Sequence, residues 1–311
     1  WIKTPKGNKI CNFSDNNLHL IGYSEPVHTK LKKNDLIQRL HSIKNQPSAI
    51  PYVTSYYEKN WGFCISENEK KILVDGEYEV LIDSSLFNGS LTYGELIIKG
   101  KCKKEIFIST YICHPSMANN ELSGICVTTF LAKWINSLKN RKYTYRIIFI
   151  PETIGSIVYL SKNLNKMKRN IIAGFNVSCV GDERSYSYLP SRNGETLSDN
   201  VALHVLKHVD KNYKSYGWKD RGSDERQYCS PNVDLPIASI MRTKYGGYRE
   251  YHTSLDDLKK VVTPKGLHGG FNVLKLAIET IENNCIPSVL VLCEPQLGKR
   301  NLYPNLSKKG S

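Results

Sequence analysis

The sequence predicts an α/β protein with three layers, a mostly parallel sheet covered by helices on both faces, and a small, mainly β module beside it. From about residue 103 onward, four continuously apolar segments alternate with segments that carry apolar residues at helical spacing. Strands that are apolar on both faces are typical of parallel sheets buried between helices. Before residue 103 the apolar runs are shorter and are broken by turn-forming residues, which favours a small β structure.

The strands and helices of the larger part follow one another in a regular order. The predicted strands are EIFISTYIC (105–113), TYRIIFIP (144–151), IIAGFNVSCVG (171–181) and LPIASIMRT (235–243). The predicted helices are GICVTTFLAKWINSLK (124–139), SIVYLSKNLNKMK (156–168), DNVALHVLKHVDK (199–211) and LHGGFNVLKLAIETIENN (267–284). Ser198 or Asp199 is the expected N-cap of the third helix. Ligands bind beyond the carboxyl ends of the strands in such sheets, which directs attention to the loops there.

The first hundred residues predict a different pattern. Residues 76–100 are expected to form a strand, a turn at Asn88-Gly89 and two further strands, and residues 32–43 show helical spacing. The aromatic, β-branched stretch at 50–66 is interpreted as strand, with its tyrosines in the core of the small module.

Composition limits the classes of protein to consider. The net charge of +14 favours anionic partners, but the basic residues are scattered and no nucleic-acid-binding motif accompanies them. The nine cysteines have irregular spacing, which indicates a reducing cytoplasm rather than a disulfide framework. No apolar run is long enough for a membrane span, so we expect a cytoplasmic protein without a membrane partner. The chain starts at Trp1 and stops without a closing element, so we expect both native ends to extend further. The sequence leaves open whether the chain forms a homo-oligomer.

Polar side chains cluster after each predicted strand. They are His114 with Asn119, Asn120 and Glu121; Glu152; Asp182 and Glu183; Asp224 and Glu225; and His252 with Asp256. Two histidines and several carboxylates at one rim are suitable ligands for a divalent cation such as zinc. Glu152, if it is not a ligand, could accept a proton from metal-bound water.

Simpler interpretations remain open for each residue taken alone. Glu121 and Glu152 stand near helix starts, where a negative charge is favourable in any case, and Ser254 to Asp257 could form an N-cap. A second group could bind a substrate, its arginines holding an anion and its carboxylates an ammonium group. This group comprises Tyr186, Tyr188, Arg192, Arg221, Asp224, Glu225 and Arg226. The same residues could instead brace their own loops.

Several stretches together resemble a known family. YICHPSMANNELSG (111–124), IPETIGSIVYLSKN (151–164) and EYHTSLDDL (250–258) are similar to bacterial aminopeptidase-like proteins often found in polysaccharide biosynthesis, as are SDERQYCSPNVDLP and CVGDERSYSYLPSR. These proteins are related to zinc aminopeptidases and, more distantly, to glutaminyl cyclases. The resemblance implies an aminopeptidase-like domain at 1–21 and 103–290, an inserted β domain at 22–102, and the start of a winged-helix domain at 291–311.

The resemblance also implies roles for individual residues. His114 and His252 match the two histidine ligands of the zinc aminopeptidases, and Glu152 matches their general base. Three positions depart from the pattern, because Asn120, Thr153 and Ser178 stand where carboxylate ligands would be. An amide cannot bridge two zinc ions, so one ion or none is expected, with Glu121 or Asp182 supplying charge.

Three functions follow from these observations. The first is a zinc-dependent hydrolase that cleaves an amide bond of a peptide or an amino-acyl/sugar conjugate, and an anionic substrate is compatible with the arginines named above. The second is a non-catalytic module that binds an anionic glycan or peptidyl conjugate through a degraded metal site. The third, nucleic-acid binding, depends on the net charge and on the winged-helix domain that the resemblance implies beyond the C-terminus.

Overall fold

The computed structural model describes residues 1–290, 292–293 and 296–303. Its larger part contains a seven-stranded sheet of β7 (Gly94–Ile98), β8 (Glu105–Tyr111), β9 (Thr144–Ile150), β10 (Ile171–Asn176), β11 (Ser187–Leu189), β12 (Lys214–Ser215) and β13 (Ile237–Met241). The strand order is β12-β11-β13-β10-β8-β9-β7. The four central strands are parallel, while β7 and β11 run antiparallel to their neighbours β9 and β13. The predicted α/β architecture is confirmed.

Helices cover both faces of this sheet. They are α3 (Ser123–Ser137), α4 (Ile154–Asn170), α5 (Leu197–Val209), α6 (Glu225–Tyr228) and α7 (Pro264–Asn283). Side chains of α3, α5 and α7 form one apolar core against the sheet, and side chains of α4 and α6 form a second core. No helix in the described part of the chain is long and apolar enough to cross a membrane.

Helix α7 approaches the sheet unusually closely. A Cβ atom on Gly266 would lie 1.9 Å from the carbonyl oxygen of Gly181, and one on Gly270 would lie 2.2 Å from that of Val180. Only glycine permits this distance, so the two positions fix how α7 packs beside the loop after β10.

The small module has its own sheet and core. It contains β1 (Ile2–Lys3), β2 (Lys9–Ile10), β3 (Val27–Lys32), α1 (Lys33–Ile37), β4 (Leu40–His41), β5 (Phe63–Cys64), α2 (Glu67–Lys71) and β6 (Glu77–Ile82). A four-stranded sheet has the order β2-β1-β6-β3, and β4 pairs with β5 separately. A cluster of apolar side chains that includes Ile2, Phe63, Tyr78 and Val80 fills its interior.

Strand pairing does not follow the predicted boundaries at residues 21 and 102. Strands β1 and β2, predicted in the larger domain, pair within the small sheet, because β1 lies antiparallel to β6. Strand β7, predicted in the small module, forms the edge of the large sheet against β9. The division into an inserted domain stays a prediction. About half of the predicted winged-helix start at 291–311 lies outside the described residues.

Some local predictions were wrong. Residues 83–93 form no strand, and the predicted helix at 32–43 is reduced to α1 followed by β4. Helix α5 begins after Thr196, whose hydroxyl accepts a hydrogen bond from the Asp199 amide, so neither Ser198 nor Asp199 is the N-cap. Asp199 instead completes a capping box, which satisfies one more free amide at the helix start.

Candidate active site

The parallel strands bring the predicted polar residues to one edge of the large sheet. His114 follows β8, Glu152 follows β9, Asp182 follows β10, and His252 lies in the connection from β13 to α7. Asp224 immediately precedes the short helix α6. The carboxyl ends of parallel strands meet at the same edge, so residues far apart in sequence become neighbours there.

The two histidines and Glu152 meet in this structure. The ring centroids of His114 and His252 are 5.3 Å apart, and His114 Nε2 lies 3.6 Å from a carboxylate oxygen of Glu152. The side chain of His114 is largely buried and that of Glu152 is only partly exposed. The arrangement therefore offers two imidazoles beside a carboxylate at a sheltered position.

Glu121 orients His114. One oxygen of its carboxylate accepts a hydrogen bond from the His114 backbone amide at 2.9 Å and lies 3.2 Å from His114 Nδ1. This contact places a proton on Nδ1 and directs Nε2 toward Glu152. A carboxylate behind a histidine is the usual device that fixes the tautomer of a metal-binding imidazole.

The electrostatics of the pocket differ between the two histidines. Burial lowers the pKa of His114, but the contacts with Cys113 and Glu121 and the charge of Glu152 outweigh it and raise the pKa to about 10. Burial, and next the charge of His114, lower the pKa of His252 to about 4. At neutral pH and without a metal ion, His114 is therefore a cation held between carboxylates, while His252 is neutral.

Glu152 is held in conditions that suit a base. Burial raises its pKa above the ordinary value, whereas the nearby charges of His114 and Arg226 oppose this increase. Asp224 lies behind it, and burial followed by repulsion from Glu152 raises the pKa of Asp224 to about 7. Asp224 accepts hydrogen bonds from the Thr153 amide at 2.7 Å and the Ser156 hydroxyl at 2.8 Å. It thereby holds Thr153, whose φ of 62° is left-handed, in place.

His252 has a strained backbone and an unpaired nitrogen. Its φ is 55°, a region that non-glycine residues rarely occupy, and its ring stacks on Tyr251 with centroids 3.9 Å apart. Nε2 of His252 is buried and has no hydrogen-bond partner among the described residues. Strain combined with an unpaired buried nitrogen is typical of a residue that is positioned for a ligand.

Other buried polar atoms are also unpaired. Asn120 donates from its amide nitrogen to the Tyr111 hydroxyl at 2.8 Å, which leaves its Oδ1 atom free. Within the described part of the chain, Asn120 Oδ1, Ser178 Oγ and Asp224 Oδ2 are buried without a hydrogen bond. Two of these three residues stand where zinc aminopeptidases would carry carboxylate ligands.

The hydrogen bonds of Asp182 assign it a structural role rather than the predicted metal-binding one. One oxygen accepts from Asn119 Nδ2 at 3.0 Å and from the Thr243 amide at 2.9 Å. The other accepts from the Arg184 amide at 2.9 Å and from the Thr243 hydroxyl at 2.6 Å. All four hydrogen bonds come from the protein, so the carboxylate joins three loops and has no lone pair to spare.

Asp256 positions the segment that carries Asn120 and Glu121. That segment is a single π-helical turn, Ala118–Leu122, at the start of α3. Asp256 accepts from the amides of Asn119 and Asn120 at 2.7 and 2.9 Å and from the Tyr248 hydroxyl at 3.0 Å. The SLDD stretch therefore has two roles: Asp256 caps a turn distant in sequence, and Asp257 accepts from the amides of Lys259 and Lys260 at 2.9 and 2.7 Å in the segment that follows.

Two residues near the histidines escaped the sequence analysis. The ring of Tyr52 lies 5.5 Å from that of His114 and 5.2 Å from that of His252, so the small module supplies one wall of the pocket. Assigning Tyr52 to the core of that module was wrong. Cys113 Sγ lies 3.4 Å from His114 Nδ1 and accepts a hydrogen bond from the Glu152 amide at 3.3 Å. Cys113, His114 and Glu121 together form a group whose ligand atoms lie within 4.8 Å of one another.

The structure brings only part of the predicted substrate group to the pocket. Asp224 and Arg226 lie beside Glu152 and Thr153, and Arg226 Nη2 is 3.4 Å from the Thr153 hydroxyl. Glu225 braces its own loop, because it accepts from the amides of Gly222 and Ser223 and from the Tyr245 hydroxyl.

Four other members of that group make contacts elsewhere. Tyr186 stacks on Arg242, and the buried Tyr188 donates to Asp199. Arg192 pairs with Asp234, and Arg221 stacks on Trp218. These contacts correspond to loop bracing, and a substrate role for the four residues has no support from the geometry.

Comparison with known proteins agrees with the resemblance in the motifs. A family model described as a domain of unknown function (DUF4910) matches residues 3–284. The chain belongs to the DUF4910 family. A Clostridium acetobutylicum relative, provisionally described as a polysaccharide biosynthesis protein with an aminopeptidase-like domain, is 45% identical over 304 residues. These residues cover 97% of this chain and 69% of the relative.

Solved structures show the same relationship. A crystal structure from C. acetobutylicum, provisionally described as a peptidase, has a TM-score of 0.91 at 44% identity and covers 96% of this chain and 70% of its own. BSAP, a zinc aminopeptidase from Bacillus subtilis, has a TM-score of 0.62 at 14% identity and covers 84% of this chain and 78% of its own. At that identity the likeness shows a shared fold, so this DUF4910 chain has the fold of zinc aminopeptidases.

Proposed function

We propose that the chain is an aminopeptidase-like hydrolase that cleaves an amide bond in a peptide or an amino-acyl/sugar conjugate. The observation that carries the proposal is the meeting of His114, His252 and Glu152 at the carboxyl ends of the strands. The name of the C. acetobutylicum relative supports a role in polysaccharide metabolism. The predicted cytoplasmic location, the homo-oligomer and the anionic character of the substrate remain expectations.

Two buried atoms without a hydrogen-bond partner among the described residues, His252 Nε2 and Asn120 Oδ1, are of the chemical types that bind a single zinc ion. Nε2 of His114 and Nε2 of His252 would be the two nitrogen ligands, and the unpaired Asn120 Oδ1 would be an oxygen ligand. Three protein ligands with an open position are the usual composition of a catalytic zinc site. A second ion does not fit, because Asn120, Thr153 and Ser178 provide no bridging or terminal carboxylate and Asp182 is already saturated.

A bound zinc ion would polarise the scissile carbonyl group and make water more acidic. Glu152 is the base that removes the proton from the attacking water and then gives it to the departing amine. Burial raises the pKa of Glu152 above its ordinary value, which favours the protonated state that this second transfer requires. Glu121 keeps His114 in the tautomer that presents Nε2, and Tyr52 limits the access of bulk water on the side of the small module.

A second function is favoured by one observation. Without a metal ion, the positive charge of His114 is already neutralised, because the protonated ring lies between the carboxylates of Glu121 and Glu152. This observation supports a pocket that is stable without a metal ion; that it binds an anionic glycan or peptidyl conjugate without cleaving it stays a prediction. This alternative has no need of a metal ion and predicts that a chelator leaves ligand affinity unchanged.

Zinc titration and turnover measured on matched variants separate the two functions. We expect the wild-type protein to bind one zinc ion in calorimetry and His252→Ala to bind none. Glu152→Gln should retain folding and zinc binding but lose hydrolysis of L-leucyl-4-nitroanilide by about 100-fold or more. Glu77→Gln is the matched control, since Glu77 pairs with Lys30 at the surface of the small module. Full activity of Glu152→Gln would reject Glu152 as the base, and zinc-independent turnover would reject the metal mechanism.

A further inference from the structure

Four tyrosines of the small module form a run of rings that starts at the candidate active site. Tyr52 contacts both histidines, and its hydroxyl lies 3.3 Å from that of Tyr56. The ring of Tyr56 is 5.1 Å from that of Tyr23 and 6.3 Å from that of Tyr57. We call this set, Tyr52, Tyr56, Tyr23 and Tyr57, the tyrosine platform. The edge-to-face angles within it are those that aromatic rings prefer.

The inner end of the tyrosine platform is held firmly against the active site. The Tyr52 amide donates to the His252 carbonyl at 2.9 Å, and Pro51 forms an isolated antiparallel bridge with Thr253. The Ser254 amide donates to the Ile50 carbonyl at 2.9 Å. Tyr52 therefore keeps a fixed position relative to His252, and the platform extends from this point.

The outer end of the platform is open to solvent. Tyr57 is 100% exposed, Tyr23 is 58% exposed and Tyr56 is 55% exposed. Tyr23 also has a left-handed backbone with φ of 68°, which is costly for a bulky residue. These three neighbouring rings are in contact with water, and one of them lies on a strained backbone. They therefore contribute little to the packing of the core. Clustered exposed aromatic surface is a mark of ligand binding.

We propose that the tyrosine platform binds a sugar ring of the substrate, next to the amide bond that the active site cleaves. This inference rests on the proposed function and selects, among its substrates, an amide carried by a saccharide. The platform reaches from the histidines to solvent, so a substrate with its amide near His114 and Glu152 would lay its neighbouring part on these rings.

The exposure of the rings favours a sugar over an aliphatic or peptide group. An aliphatic side chain gains binding energy in proportion to the area removed from water, so it prefers an enclosed pocket. A sugar ring has an apolar C–H face and hydroxyl groups around its edge. Stacking on an open platform buries the C–H face while the hydroxyl groups stay solvated or bond to tyrosine hydroxyls.

The test measures saccharide binding apart from turnover. The probes are triacetylchitotriose, maltotriose and trialanine, and their binding to the Glu152→Gln protein is followed by saturation-transfer NMR and calorimetry. We expect both trisaccharides to bind and Tyr57→Ala or Tyr56→Ala to weaken this binding roughly two- to tenfold. Tyr57→Phe should retain most of the affinity because it keeps the ring. Phe130→Ala, at a residue of α3 that is 57% exposed, is the matched control and should change nothing.

Three results would overturn the proposal: no saccharide binding, saccharide binding unaffected by both alanine variants, or trialanine binding that the same variants weaken equally. Failure of the proposed function is visible separately, since hydrolysis of L-leucyl-4-nitroanilide by the wild-type protein requires no saccharide. The three tyrosines are exposed, so circular dichroism and melting temperatures should show that the variants fold normally.

Discussion

Asp182→Asn should lower the free energy of unfolding by about 2–5 kcal/mol and leave zinc binding by the folded protein unchanged. The native carboxylate accepts four hydrogen bonds, from Asn119, Arg184 and both the amide and the hydroxyl of Thr243. The introduced amide nitrogen would replace the oxygen that faces the Arg184 amide and the Thr243 hydroxyl. This orientation is preferred because the Thr243 hydroxyl can turn and accept a hydrogen bond from the new amide nitrogen.

The magnitude follows from counting the affected hydrogen bonds. The Arg184 amide loses its acceptor, which costs about 1–3 kcal/mol, and the two bonds that remain on oxygen lose their charge assistance, at roughly 0.5–1 kcal/mol each. With an unfolding entropy near 2.1 cal/mol/K per residue, the melting temperature should fall by about 3–8 °C.

Thermal melts, urea unfolding and zinc titration at neutral pH provide the assay. Asp75→Asn is the matched control, because the Asp75 side chain is 97% exposed and should tolerate the change. The structural assignment fails if Asp182→Asn melts like the wild type but loses zinc, since that result would describe a ligand.

Further predictions concern the other groups of the site and fold. Glu121→Gln should weaken zinc binding about 10- to 100-fold in calorimetry without preventing folding, because His114 Nδ1 loses its carboxylate; unchanged affinity would contradict the orienting role. The folded-state pKa of Asp224, about 7, lies above its ordinary value, so its stabilising contribution is complete at low pH and disappears as pH rises through 7. Asp224→Asn should therefore raise the melting temperature relative to wild type more at pH 8.5 than at pH 5.5, and an equal difference at both would refute the shift. Since Glu152 must be deprotonated to act, kcat/KM for an anilide substrate should fall as pH decreases through a raised pKa, whereas a profile flat down to pH 4.5 would exclude it as the base. Gly270→Ala should destabilise the protein by about 1–3 kcal/mol or more in urea unfolding, because its Cβ atom would meet the Val180 carbonyl, while the control Gly217→Ala has space and should be near neutral.

The sequence predicted the central sheet because its strands are buried on both faces. Residues 105–111 and 144–150 are mainly apolar without an alternating pattern, and their two charged members, Glu105 and Arg146, pair with each other in the interior. Strands β11 and β12 are only three and two residues long, too short for any periodic pattern. The segment 83–93 has strand-like composition but finds no partner, since β7 joins β9 in the other sheet.

The site was predictable where a side chain that can bind a metal or transfer a proton comes directly after a strand. His114, Glu152 and His252 are found at the edge where strand order places them. The sequence suggests a metal ligand at Asp182 because three of its four hydrogen bonds come from Asn119 and Thr243, which are about sixty residues away. Tyr52 was missed for the same reason, as the pairing that brings it to His252 joins segments about two hundred residues apart.

The junction of residues 50–52 with residues 252–254 has a consequence for biosynthesis. A contact between such distant segments pays a large loop-closure cost and forms late in folding. A ribosome must release most of the polypeptide before Tyr52 can dock beside His252, even though the small sheet has already emerged. We therefore expect nascent chains to acquire the small sheet early and the complete pocket only near the end of translation, so unfinished chains would lack the wall that Tyr52 supplies.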